Sequence, residues 1–151
     1  MIHYRNGVRR SGVDGRALVA TAKKLLNEAG EPASSLSLTL VGDEEIRTLN
    51  REHRGKDKAT DVLSFSLVEN GSVAGGERLL GDVVISVETA RRQAAAYDAT
   101  LQNELYRLLI HGVLHVLGHD HERAGERRIM VAAERRLARA IGLAWPYRER
   151  R

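Results

Sequence analysis

The sequence contains no cysteine. That excludes a disulfide framework, thiolate metal ligands and a cysteine nucleophile. Aromatic residues make up only 4% of the chain, too few for an extensive surface on which nucleic-acid bases stack. No apolar run approaches the roughly 20 residues that cross a bilayer. The opening stretch, MIHYRNGVRRSG, lacks the apolar core of a secretory leader. A cytoplasmic protein is expected.

What is present describes an ordinary globular chain. Its 151 residues, 42% hydrophobic and 29% charged, suit one domain over residues 1–151 built on a single core. The net charge of +4 and pI near 9.8 suggest an anionic partner. Of the 24 basic residues, 20 are arginine, whose planar fork suits phosphate oxygens. A GC-rich genome also enriches arginine, so charge alone argues only modestly for nucleic-acid binding.

Hydrophobic periodicity predicts an α+β fold. Asp14 caps a helix running to a stop at Gly30, with Leu18, Ala22, Leu25, Leu26 and Ala29 inside. In SSLSLTLV (34–41) leucine alternates with serine and threonine, the period of a half-buried strand. Asp43 is placed as the cap of a short helix with Ile46 and Leu49 inward. Two further strands are expected at DVLSFSLV (61–68) and DVVIS (82–86), joined by a glycine-rich hairpin loop at 70–77. Helices follow near 88–97, from about Thr100 to Gly118, and over about 123–141. The last of these should bury Ile129, Ala133 and Leu137 and turn arginines to solvent.

Chemistry concentrates in HGVLHVLGHDH, residues 111–121, which holds four of the six histidines. Residues four apart on a helix are neighbours, so His111 and His115 project side by side. Gly118 accepts the left-handed conformation that turns the chain back, which lets His121 supply a third imidazole. Three neutral imidazoles without thiolate suit zinc best, with nickel and copper as alternatives. Three such ligands leave a fourth position for water, the pattern of catalytic zinc, unless Asp120 or Glu122 closes it. His119 is placed to move protons or to face water, and Asp120 to orient a ligand histidine or to shape the turn. The spacing is that of zinc proteases, H-E-x-x-H-x-x-G-x-x-H, but Gly112 stands where the catalytic glutamate would be. Phosphodiester cleavage asks more for neutralisation of non-bridging oxygens, which zinc and arginine supply.

A second constellation lies in NREHRGKDKATDVLSF (50–65), where Arg54, Lys56 and Lys58 precede Thr60 and Asp61 at a strand entrance. A loop there can aim a guanidinium at a phosphate. Together the two stretches resemble the YbeY-type endoribonucleases, the bacterial rRNA maturation factors. HGVLHVLGHDH fits that family's H-G-x-L-H-x-x-G-[YH]-D-H at every position. Leu49, Asn50, His53, Arg54, Asp57, Thr60, Asp61 and Val62–Phe65 fit its second block, and LLGDVVIS (79–86) resembles a third. Ala59 departs from a proline common there.

The resemblance implies an α+β fold with a mixed sheet of about four strands and a metal at one end of a cleft. It implies His111, His115 and His121 as ligands of one zinc ion and Arg54 as the arginine of nuclease activity. It implies a single-strand-specific endoribonuclease that matures the 3′ end of 16S rRNA and monitors ribosome quality, partnered by small-subunit proteins and an assembly GTPase. Two other readings stand beside it. One is a metzincin-like metalloprotease, against which Gly112 counts. The other is a non-catalytic assembly factor with structural zinc and a basic RNA-binding surface.

Overall fold

The alternation in SSLSLTLV becomes a strand at the heart of a four-stranded sheet. The computed structural model describes residues 1–67, 78–119 and 124–144. Its elements in chain order are β1 (Ile2–Asn6), α1 (Gly15–Glu28), β2 (Ser34–Val41), α2 (Asp43–Arg54), β3 (Val62–Ser66), β4 (Arg78–Ser86), α3 (Val87–Ala96), α4 (Leu101–Val116) and α5 (Ala124–Ala140). The sheet order is β1–β2–β4–β3. β1 and β4 run parallel to β2, and β3 runs antiparallel to β4. The fold is α+β with a mixed sheet. The glycine-rich stretch 70–77 lies outside the described residues.

Both faces of the sheet are covered, unequally. Leu36, Leu38 and Leu40 of β2 with Val83 and Ile85 of β4 enter a large core shared with α1, α4 and α5. Burying one such side chain contributes about 1.5–3 kcal/mol. On the opposite face Val41, Leu63 and Val84 meet Ile46 of α2 in a smaller cluster. α4 packs on β3 and β4 and also against α1, α3 and α5, so the histidine helix is held on every buried side.

The caps follow the sequence with one exception. Asp14 accepts the Ala17 amide at 3.0 Å, and Thr100 caps α4 through the Asn103 amide. α2, however, is capped by Gly42, and Asp43 is its first helical residue. The Asp43 carboxylate is drawn off to α3 and the end of β4. It accepts Ser86 Oγ and Thr89 Oγ1 at 2.6 Å each and Arg92 Nη2 at 2.8 Å. Burial raises its pKa, but these three donors outweigh that and hold the group below the usual carboxylate range.

One strand was not expected, and one expectation is corrected. β1 carried no sequence signal, since only Ile2 of its five residues is fully buried. It is a parallel edge strand held by backbone pairing to β2. In α5, Ile129 is 62% exposed while Met130, Leu137 and Ala138 are buried. Leu137 and Ala133 face the core as expected, and Met130 takes the inward place expected for Ile129.

Candidate active site

α4 places His111 and His115 one turn apart. Their Nε2 atoms stand 3.0 Å from each other, with ring centroids 4.5 Å apart. Two imidazole nitrogens on one tetrahedral zinc ion at about 2.0–2.1 Å would be separated by roughly 3.3 Å. The observed separation is within a few tenths of an ångström of that value. The helix ends at once: Gly118 adopts φ +98°, and the His119 amide reaches back to the Leu114 carbonyl at 2.9 Å. His121 and Asp120 lie outside the described residues. Among the described residues no three ligating side chains gather.

The other nitrogen of His111 faces α5. Nδ1 lies 3.2 Å from Glu134 Oε2, and Glu134 is only 14% exposed. A carboxylate acceptor puts a proton on Nδ1, and in the neutral tautomer that leaves the Nε2 lone pair toward His115. Glu134 shares the inward side of α5 with Met130 and Leu137, while Ile129 is exposed. Nothing local in ERRIMVAAERR marks Glu134 among its charged neighbours. Its role emerges only from helix packing.

Gly112 has a steric explanation. A Cβ there would lie 2.7 and 3.0 Å from the two methyls of Val83 and 3.3 Å from Ser64 Oγ. The helix sits so close to the sheet that a side chain at this position has no room. Ser64 and Ser66, on the edge strand, donate to the Gly112 and Val116 carbonyls at 3.3 and 2.7 Å, strapping β3 to α4.

Arg54 closes α2, where Gly55 at φ +70° ends the helix. Its Nη2 donates to the Ser64 carbonyl at 3.0 Å, and its guanidinium carbon lies 6.0 Å from the Phe65 ring centroid. Ser64 thus holds the arginine through its carbonyl and the histidine helix through its hydroxyl. The loop after α2 is fixed by buried Asn50, which donates to the Lys58 carbonyl at 2.9 Å. Asp57 turns back to α2 and pairs with Arg47 at 2.8 Å and Arg51 at 3.5 Å.

These elements enclose a cleft of about 710 Å³. Arg54, Lys56, Thr60, Asp61, Ser64, His111, His115 and His119 all line it. The two stretches singled out in the sequence, some 60 residues apart, therefore meet at one concave surface with a cationic wall and an imidazole wall. Asp57 and Lys58 stand apart from its lining. The donor set fits zinc: two imidazole nitrogens stand side by side, and one ring is backed by a carboxylate.

Comparison with known proteins identifies the family. The family model described as Endoribonuclease YbeY matches residues 4–142. A curated relative of that description from Syntrophotalea carbinolica is 43% identical, over 91% of this chain and 93% of the relative. Those from Myxococcus xanthus and Anaeromyxobacter dehalogenans are 48% and 51% identical over 85% of this chain, but the match spans only 44% and 65% of those longer proteins. The solution structure of TM1509 from Thermotoga maritima superposes with a TM-score of 0.62 at 28% identity, covering 94% of this chain and 90% of that one. The chain belongs to the endoribonuclease YbeY family.

Proposed function

We propose that this protein is a zinc-dependent endoribonuclease that cuts single-stranded RNA, with Arg54 as its catalytic cation and His111, His115 and His121 as its metal ligands. The observation that carries the reading is the convergence of the two imidazole Nε2 atoms in the cleft that Arg54 lines, in a chain of an endoribonuclease family. A zinc ion bound there supplies Lewis-acid stabilisation of a scissile phosphate.

The chain's own residues do the rest. Arg54 offsets charge developing on non-bridging oxygens, and Lys56 attracts the backbone to the same wall. Glu134 keeps the His111 proton on Nδ1 and so keeps Nε2 available. Ser64 ties the arginine to the histidine helix, which fixes the distance between the two walls. The steric exclusion at Gly112 weighs against the protease reading, because the base that such a mechanism needs cannot be built at that position.

The substrate we infer is the 3′ region of a 16S rRNA precursor, met in the cytoplasm on the small ribosomal subunit with its proteins and an assembly GTPase. Among the described residues no helix is long and apolar enough to cross a membrane. Purified protein should cut single-stranded RNA, leave a duplex of the same sequence intact, and lose the activity on chelation. Equal cutting of the duplex, or cutting that survives complete metal removal, contradicts the proposal.

A further inference from the structure

Ribonuclease chemistry needs a group to take the proton of the attacking hydroxyl, and the glutamate of the protease pattern has no place at Gly112. One carboxylate among the described residues lines the cleft, that of Asp61. We propose that Asp61 is the general base of the reaction. The inference rests on the ribonuclease reading above and adds a residue to it.

Asp61 is held more firmly than a strand-entry aspartate requires. Its carbonyl accepts the Ser86 amide at 2.9 Å, anchoring its backbone to the end of β4. Oδ1 accepts the Val62 amide at 2.7 Å and Thr60 Oγ1 at 3.4 Å. Capping the strand would be complete with that oxygen alone. Oδ2 is held separately, by Gln93 Nε2 at 3.3 Å. The same amide nitrogen donates to Glu104 Oε2 at 2.7 Å. Because both carboxylates only accept, the Gln93 amide nitrogen must face them, and its orientation is fixed.

Glu104 is fully buried. It is paired with Arg107 through Nε at 2.9 Å and through a second, shorter contact to Nη2. Burial lowers the pKa of Arg107, yet bonding to Glu104 outweighs this and raises it. A buried ion pair thus fixes Gln93, and Gln93 fixes Asp61. Breaking such a pair is costly, which makes it a stiff support. An ionised carboxylate offers about four acceptor positions. Among the described residues three are occupied, and the fourth, on Oδ2, is the one assigned the proton.

In the step assigned to it, Asp61 accepts the proton of the attacking hydroxyl, from water or the ribose 2′ position. The freed oxygen bonds to phosphorus, and the bond from phosphorus to the leaving ribose oxygen breaks. That leaving oxygen takes a proton from solvent, and Asp61 returns its own to solvent. Arg54 stabilises the charge between these events. Gln93 is a positioning residue, not a catalytic one.

The test compares Asp61→Asn and Asp61→Glu with the wild type, using a single-stranded RNA for turnover and a non-cleavable analogue for binding. Asparagine keeps an acceptor for Val62 but is not basic. We expect kcat of Asp61→Asn to fall about 10²–10⁴-fold, the usual worth of a general base, with zinc content and analogue affinity retained. Asp61→Glu should turn over faster than Asp61→Asn, because a base is still present. Asp61→Asn activity within a few-fold of wild type overturns the proposal. Equal loss in both variants, or loss of zinc or analogue binding, overturns it as well by assigning Asp61 a structural role. Wild-type protein that holds zinc but cuts no RNA would instead defeat the ribonuclease reading, a separate outcome.

Discussion

A Cβ on Gly112 would stand 2.7 Å from Val83 Cγ1. The residue beside the first metal-ligand candidate is therefore glycine because α4 lies against β4 there. Gly112→Ala gains up to about 1 kcal/mol of helix propensity but forces overpacking that typically costs about 1–3 kcal/mol. We expect net destabilisation, read as a lower denaturant midpoint at an unchanged m-value. Gly112→Glu, which restores the protease pattern, should not fold. A folded Gly112→Glu protein that hydrolyses casein would contradict this steric account.

Glu134 contributes through His111. Removing it frees the ring to rotate and to move its proton between nitrogens. Glu134→Ala should weaken zinc binding about 10–100-fold, the usual effect of losing such a carboxylate, as measured by competition with a chromophoric chelator. Glu134→Gln, which still offers an acceptor to Nδ1, should fall between alanine and wild type. Identical affinities in all three proteins would remove Glu134 from the site.

Arg54 acts on the phosphate and not on the metal. Arg54→Ala should keep its zinc and lose turnover by about 10²–10³-fold, as expected when one preorganised donor is removed. Arg54→Lys should recover little, since an ammonium cannot serve the Ser64 carbonyl and a phosphate with one planar fork. Zinc lost along with turnover in Arg54→Ala would refute this division of roles.

Acid should loosen the junction of α2 with α3. The folded-state pKa of Asp43 is depressed, because donation from Ser86, Thr89 and Arg92 outweighs the effect of burial. Its contribution is complete above the unfolded value, near 3.9. It is lost as the pH falls through the lower folded value. Asp43→Asn should therefore lower stability at neutral pH and flatten its dependence on pH below about 4. An acid-unfolding profile parallel to that of wild type would show that the three contacts carry no linkage.

Much of this molecule is legible where local pattern and tertiary outcome coincide. Leu36, Leu38 and Leu40 announce β2 because their alternation is also their burial, and Gly118 announces the end of α4 because its backbone conformation favours glycine. His111 and His115 stand out by residue type and spacing and Arg54 through the family resemblance, and the fold brings them into one cleft. β1 was invisible because a parallel edge strand of one buried side chain takes its stability from backbone pairing. Ile129 was assigned inward because 129, 133 and 137 lie four apart. The face that turns in is set by tertiary packing, Met130, Leu137 and Ala138 entering the core and Glu134 meeting His111, 23 residues distant. Asp43 looked like a cap because its true partners, Ser86, Thr89 and Arg92, lie more than 40 residues downstream. Asp61 stood inside a recognised block, yet its support by Gln93 and Glu104 runs through helices that the block does not contain.

The central claim is that the paired imidazoles of α4 hold the metal on which RNA cleavage depends. Zinc content and cleavage of a single-stranded RNA, measured on the same preparations of wild type and His115→Ala, test it most directly. The account predicts about one zinc per wild-type chain and coordinate loss of metal and cleavage in the variant. His115→Ala protein that is free of metal yet cuts RNA at the wild-type rate would contradict it.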